Sequence, residues 1–135
     1  MTNKCVIRSL EERDLAEWLR LRTSLWDQTS EDDHKGEMVD IIEHPDSQFV
    51  AVADTGNGRL AGFLEASIRQ HVEDCDTENV GYLEGWFVDS DHRRQGIGAM
   101  LVAAAEDWAR ERGCTEMASD AEVGNTVSQQ AHAQL

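Results

Sequence analysis

Arg93-Arg94-Gln95-Gly96-Ile97-Gly98 is the segment whose residue types and spacing carry the most chemistry. Its glycines let the backbone come close to a ligand, and a helix opening at Ile97 has first-turn N–H groups without partners inside the helix. Those amides sit at the positive end of the helix dipole, where an anion is favoured, and Arg93 and Arg94 add full charges in the same place. The chemistry this suits is the binding of a phosphate group. A P-loop is excluded because no Gly-Lys-Ser/Thr follows, and a dinucleotide loop because no third glycine stands at the required spacing. A plain surface turn is the alternative reading of the hexapeptide by itself.

To present such a loop, the chain needs a strand before it and a helix after it. Val80 to Asp89 reads as the strand. Ile97, Met100, Leu101, Ala104, Trp108 and Ala109 recur at helical spacing, and Gly113 falls at the expected stop, which predicts a helix over Ile97 to Arg112. Upstream, Cys5 to Ser9 reads as a first strand. Ser9 and Glu12 have capping-box spacing and predict a helix through Leu25, with Leu15, Trp18, Leu19, Arg22 and Leu25 along one side. A second helix is expected from about Ser30 to Glu43, ended by Pro45. Phe49 to Ala53 and Leu60 to Ile68 read as strands joined through Thr55-Gly56-Asn57-Gly58, a hairpin turn by composition. A short strand near Glu116 to Ser119 and a last helix from about Asn125 complete the order. The fold class is α/β, a mixed and mostly antiparallel sheet flanked by about four helices.

The chain has 135 residues and 40% hydrophobic content, the size of one domain with a real core, so residues 1–135 are read as a single domain. No stretch is long and apolar enough to span a bilayer, and the first residues lack the apolar run of a secretory leader, so a cytoplasmic location is expected. Cys5, Cys75 and Cys114 are odd in number and lack C-x-x-C spacing, which argues against a disulfide framework and against a zinc site. With 27 Asp and Glu against 12 Lys and Arg, the formal charge is −15. Such a chain repels nucleic acid and anionic membrane and attracts polycations, although acidity for solubility alone is an equal reading of the charge.

The loop resembles Arg/Gln-x-x-Gly-x-Gly/Ala, the acetyl-CoA pyrophosphate loop of the GNAT N-acetyltransferase superfamily. Leu83-Glu84-Gly85-Trp86-Phe87-Val88, Glu116-Met117-Ala118-Ser119-Asp120, Asn125-Thr126-Val127-Ser128-Gln129 and His132-Ala133-Gln134-Leu135 together resemble the aminoglycoside 6'-N-acetyltransferase branch, and Leu25-Trp26 and Ala66-Ser67-Ile68-Arg69 fit it too. What the resemblance implies is acetyl transfer from acetyl-CoA to the 6'-amino group of an aminoglycoside, without a metal, by a homodimeric enzyme of antibiotic resistance. Its cofactor set would be the backbone of Trp86, Phe87 and Val88 for the pantetheine arm, Arg94, Gln95, Gly96, Ile97, Gly98 and Ala99 around the pyrophosphate, and Asn125, which is otherwise a helix cap. Arg93 is equally readable as a solvated charge.

Amide formation needs an unprotonated amine, yet an amine near its usual pKa is mostly ammonium at neutral pH. Carboxylates beside it can bind the cation and then accept or relay its proton, which makes Glu84 and Asp120, each at the end of a predicted strand near the loop, the natural pair. Which of them leads to the base stays open, as do a surface role for Glu84 and a helix-cap role for Asp120. By resemblance Trp26 and His71 wall the sugar site, where a flat ring stacks on an apolar sugar face; a core tryptophan and an exposed loop histidine are the plainer readings. The family's usual tyrosine acid on the last helix has no counterpart. His132 stands at that position and is read either as the acid or as an ordinary helix residue. His34, His44 and His92 have no metal-ligand partners at useful spacing and are assigned to the surface.

Leu135 ends the chain before the Gly-Phe and closing strands that usually follow in the superfamily, so those strands are expected to be missing and the sheet edge and apolar surface they cover exposed. Two other functions remain open on sequence: acetylation of another amine, such as a polyamine or a protein N-terminus, and a non-catalytic acetyl-CoA-binding module.

Overall fold

Two alternating apolar series on the central strands decide the architecture. In a strand, successive side chains point to opposite faces. Val50, Val52 and Phe63 pack with Trp18, Leu21 and Met38, whereas Ala51, Ala53, Ala61, Leu64 and Ala66 pack with Ile97, Leu101, Ala105 and Trp108. The sheet therefore buries both faces under helices. Small alanines on the second face let one long helix lie close to the backbone. The computed structural model describes residues 5–72, 75, 77–119 and 131–135, the side chains of 131–134 excepted.

Among these residues the chain runs β1 (Val6–Ser9), α1 (Leu15–Leu25), α2 (Glu31–Ile42), β2 (Gln48–Asp54), β3 (Leu60–Arg69), β4 (Val80–Val88), α3 (Ile97–Glu111), β5 (Glu116–Ser119) and β6 (Ala131–Gln134). The strands form one six-stranded sheet in the order β1-β2-β3-β4-β5-β6. Every neighbouring pair is antiparallel except β4 with β5, which are parallel because α3 carries the chain back across the sheet between them. The α/β class and the mixed, mostly antiparallel sheet agree with the sequence reading.

Two expected elements differ. Ser9 does not open a helix. It closes β1, paired with Ala51, and the chain turns instead through a short 3-10 segment, Glu12–Asp14, where the Glu11 N–H donates to Asp14 Oδ2 at 2.8 Å. Arg8 donates to both oxygens of Asp14, at 2.7 and 2.9 Å, so the capping carboxylate is committed to this corner and α1 starts only at Leu15. The second difference is at the other end. Asn125 lies outside the described residues, but 131–134, expected within the last helix, form β6, which pairs with β5 from Glu116↔Gln134 to Ser119↔Ala131. The open edge of β5 offers unpaired backbone groups, and an extended segment satisfies them where a helix would not.

α2 begins where Ser30 Oγ accepts from the Asp33 N–H at 3.1 Å, with Glu31, Asp32 and Asp33 in its first turn complementing the helix dipole. It lies on the Trp18–Phe63 face beside α1. Arg20 of α1 ties this layer to the end of β4. It donates to Asp89 at 3.1 and 3.2 Å and to the Leu60 carbonyl at 3.0 Å, and Glu17 accepts the Leu60 N–H at 2.9 Å. The Arg20 guanidinium holds the Glu17 carboxyl below the usual carboxylate range. Asp89, just after β4, is thereby anchored before the chain turns through Ser90–His92 into the glycine loop.

Candidate active site

β4 pairs with β5 through Gly81↔Met117, Tyr82↔Ala118 and Leu83↔Ser119, and then runs on to Val88. This run, with Leu25 and Trp26 on one side and His92, Arg93, Arg94 and Gly96 to Gly98 on the other, lines a cleft of about 760 Å³. Side chains along the run alternate. Phe87 packs into the α1/α2 core and Val88 into the α3 core, while the Trp86 ring packs against Gly98 and remains 39% exposed. Backbone and an aromatic surface are therefore what the Trp86 to Val88 stretch offers to a ligand.

The loop has the geometry its composition suggests. Gly96 has φ 78°, in the left-handed region, and Arg94 shares that conformation at φ 68°. Without a Cβ, Gly96 adopts it at no steric cost. The first helical bond is Met100 N–H to Gly96 O at 3.1 Å, and no side chain caps α3. The N–H groups of Ile97, Gly98 and Ala99 are left without helical partners, Ile97 and Gly98 at the cleft, an arrangement that suits an anion. Ile97 is 3% exposed and pins the helix start into the core. Arg93 is exposed but tethered. Its Nε donates to Val88 O at 2.9 Å and its guanidinium lies 5.4 Å from the centre of the Phe87 ring. Arg94 and Gln95 are exposed on the loop. His92, expected at the surface, is half-buried on the cleft wall, and its buried Nδ1 has no hydrogen-bond partner among the described residues.

Glu84 reaches the cleft through a β-bulge. Glu65 opposes Gly85 and Ala66 opposes Leu83, which leaves Glu84 as the extra residue of β4 and re-aims its side chain. Its carboxylate accepts from Ser67 Oγ and from Arg69 at 2.8 and 3.2 Å. The Arg69 guanidinium also stacks 3.6 Å over the centre of the Tyr82 ring. Arg69 thus supplies an internal cation at the acid. Ser67 and Arg69 alternate on β3, so both fall on one face, and that spacing was the available sequence signal for them.

Trp26 follows α1 and closes the opposite wall. Its ring is edge-to-face with Phe63 at 6.1 Å, and its edge lies so close to Gly85 that a Cβ there would be 2.4 Å from Cζ2. Gly85 therefore has to be glycine for Trp26 to stand beside Glu84. His71 is exposed and is not among the residues lining the cleft. Asp120, Asn125 and the side chain of His132 lie outside what the structure describes; the His132 backbone is in β6, opposite Ala118. His34 is the clearest correction. Instead of facing solvent it is fully buried, bonded to Arg22 and to the Trp26 carbonyl.

Residues 15–135 match the acetyltransferase (GNAT) family. The aminoglycoside N(6')-acetyltransferase type 1 of Klebsiella aerogenes is 42% identical over 98% of this chain and 88% of its own length. The chain belongs to the GNAT acetyltransferase family. A second GNAT relative of the same name, from Acinetobacter haemolyticus, is 40% identical over 96% of this chain and 88% of its own length. Among solved GNAT structures, AAC(6')-Iy in complex with the bisubstrate analogue CoA-S-monomethyl-acetylneamine superposes with a TM-score of 0.82 at 35% identity, covering 90% of this chain and 82% of that one. AAC(6')-Iy in complex with CoA gives 0.85 at 34% identity, covering 93% and 82%. The cleft beside the glycine loop is thus the candidate active site of a GNAT enzyme of the aminoglycoside N(6')-acetyltransferase branch.

Proposed function

We propose that the chain transfers the acetyl group of acetyl-CoA to the 6'-amino group of aminoglycosides, with Glu84, Asp120 and Trp26 on the amine side and the loop on the donor side. The observation that carries this reading is one cleft that joins unpaired helix-start amides to a carboxylate and an indole. Anion-binding amides suit a diphosphate. The acidic residue suits a cationic amine, and the formal charge of −15 suits a polycation. In the reaction the amine nitrogen attacks the thioester carbonyl, the C–S bond breaks, the nitrogen loses a proton and the thiolate gains one. Glu84 and Asp120 would hold the ammonium and take or relay the proton through water.

His132 is the proposed donor to the thiolate, with direct protonation by solvent or by the new ammonium group as the other route; a His132→Ala enzyme with unchanged turnover across pH decides for the second. His71, exposed and away from the cleft lining, is proposed only to meet the outer part of a long substrate, and Asn125 to bind the donor. Loss of a positive charge from the drug supports a role in resistance. A cytoplasmic, metal-free homodimer is proposed on family resemblance.

A Gly96→Val enzyme tests the loop. A β-branched residue resists the left-handed conformation by about 1–2 kcal/mol, so the loop relaxes and the amides lose their aim. KM for acetyl-CoA is expected to rise about tenfold while KM for the aminoglycoside is unchanged. The function itself is tested by thiol release from acetyl-CoA with kanamycin, tobramycin or spermidine as acceptor. Release with the two drugs is expected. Release only with spermidine would overturn the substrate, and none at all would favour a binding module.

A further inference from the structure

A line of buried polar groups runs beneath the cleft and ends on Trp26. It starts at Glu65 on β3, opposite Gly85. Glu65 accepts from Trp18 Nε1 at 2.9 Å, from Arg22 Nε at 2.7 Å and from Arg22 Nη2 at 3.1 Å. Arg22 Nη1 then meets His34 Nδ1 at 3.0 Å. A guanidinium has only donors, so this nitrogen accepts, the ring proton sits on Nε2, and Nε2 donates to the Trp26 carbonyl oxygen at 3.1 Å. Glu65, Arg22 and His34 are 3%, 2% and 0% exposed. The Arg22 guanidinium also lies 4.9 Å from the centre of the Trp26 ring.

Stability alone does not call for such an arrangement, because apolar side chains of similar volume usually serve a core as well or better. What the arrangement does is geometric. It grips Trp26 twice, by its carbonyl and by its ring face, and Gly85 fixes the ring edge one residue from Glu84. We propose that Glu65, Arg22 and His34 are positioning residues that hold the Trp26 indole at a set place relative to Glu84, so that a sugar ring stacked on Trp26 presents its amine to the acid. This rests on the aminoglycoside reading.

The test uses the full chain as His34→Ala, His34→Gln and the Arg22→Met/Glu65→Leu double variant, with each substrate varied at saturation of the other. His34→Ala is expected to raise KM for kanamycin about tenfold, the worth of one lost buried hydrogen bond, and to leave KM for acetyl-CoA unchanged. His34→Gln, whose amide can donate to the Trp26 carbonyl, restores most of the loss. The double variant removes both charges together, regains most of the stability that Glu65→Leu alone loses, and shows the same selective rise. Unchanged KM for kanamycin in both His34→Ala and the double variant overturns the proposal. So does an equal rise in both KM values with a lowered thermal midpoint, which marks a merely structural role. No turnover of any aminoglycoside by the unmodified chain overturns the substrate reading, and the proposal with it.

Discussion

A Glu65→Leu protein is expected to lose about 3–5 kcal/mol of unfolding free energy, the usual result of removing one partner of a buried ion pair. The leucine fills the space but leaves the Arg22 guanidinium, 2% exposed, without the carboxylate that takes two of its donors, and orphans Trp18 Nε1. Burial opposes the charge on Arg22, and Glu65 together with Glu37, whose Oε1 accepts from Arg22 Nη2 at 3.3 Å, more than offsets it, so that the guanidinium pKa is raised. Exposed pairs give the contrast. Arg110 and Asp107 are 3.0 Å apart with side chains 50% and 72% exposed, and breaking such a pair costs about 0–1 kcal/mol. Adding Arg22→Met to Glu65→Leu is expected to recover most of the loss, because no uncompensated charge remains. Urea titration of the single and double variants checks both statements. A single variant as stable as the parent would mean that the charge is solvated by some other route.

The second large effect is on the reaction. Glu84→Gln keeps the shape of the side chain and its acceptor for Ser67 but removes the charge, so an incoming ammonium loses a charge-assisted hydrogen bond worth about 1.5–3 kcal/mol. KM for the aminoglycoside is expected to rise about 10- to 100-fold, with KM for acetyl-CoA unchanged. The split between KM and kcat then separates two roles for the acid. An anchor raises KM and spares kcat, whereas a base lowers kcat and removes the acidic limb of its pH profile. Arg69 enters this balance because it already occupies both carboxylate oxygens of Glu84. On the proposed function, the substrate amine must share or displace that guanidinium, and this favours the anchoring role. Initial rates across pH, with each substrate varied in turn, check the prediction.

Local patterns were legible in the sequence, and pairings between distant segments were not. The start of α3 at Ile97, the start of β3 at Leu60, the stop before Pro45 and the whole of β5 follow from periodicity, glycine and proline. The glycine loop was legible too, since its chemistry depends on a few adjacent residues. Ser9 misled because its capping-box spacing is local, whereas its real partner is Ala51 across the sheet. The bulge that turns out Glu84 depends on the register between β3 and β4, which no single segment encodes. His34 looked like a surface residue on an acidic helix. Its burial follows from Arg22, 12 positions away, and Glu65, 43 positions beyond Arg22, because an arginine inside the core needs both a carboxylate and a further acceptor. Of the residues singled out around the loop, Trp86, Phe87, Val88, Arg94, Gly96, Ile97 and Gly98 line the cleft, Gln95 and Ala99 are not in its lining, and Asn125 lies outside the described residues. On the acceptor side Glu84 and Trp26 meet in the cleft as expected, while Ser67 and Arg69, which lock Glu84, had no assigned role.

The most direct test of the central claim is where the acetyl group goes. Kanamycin incubated with the chain and acetyl-CoA should yield one product, with NMR correlations joining the new acetyl carbonyl to the 6'-nitrogen and one thiol released per amide formed. Acetyl on another amine, or thiol release without an acetylated drug, would contradict the account.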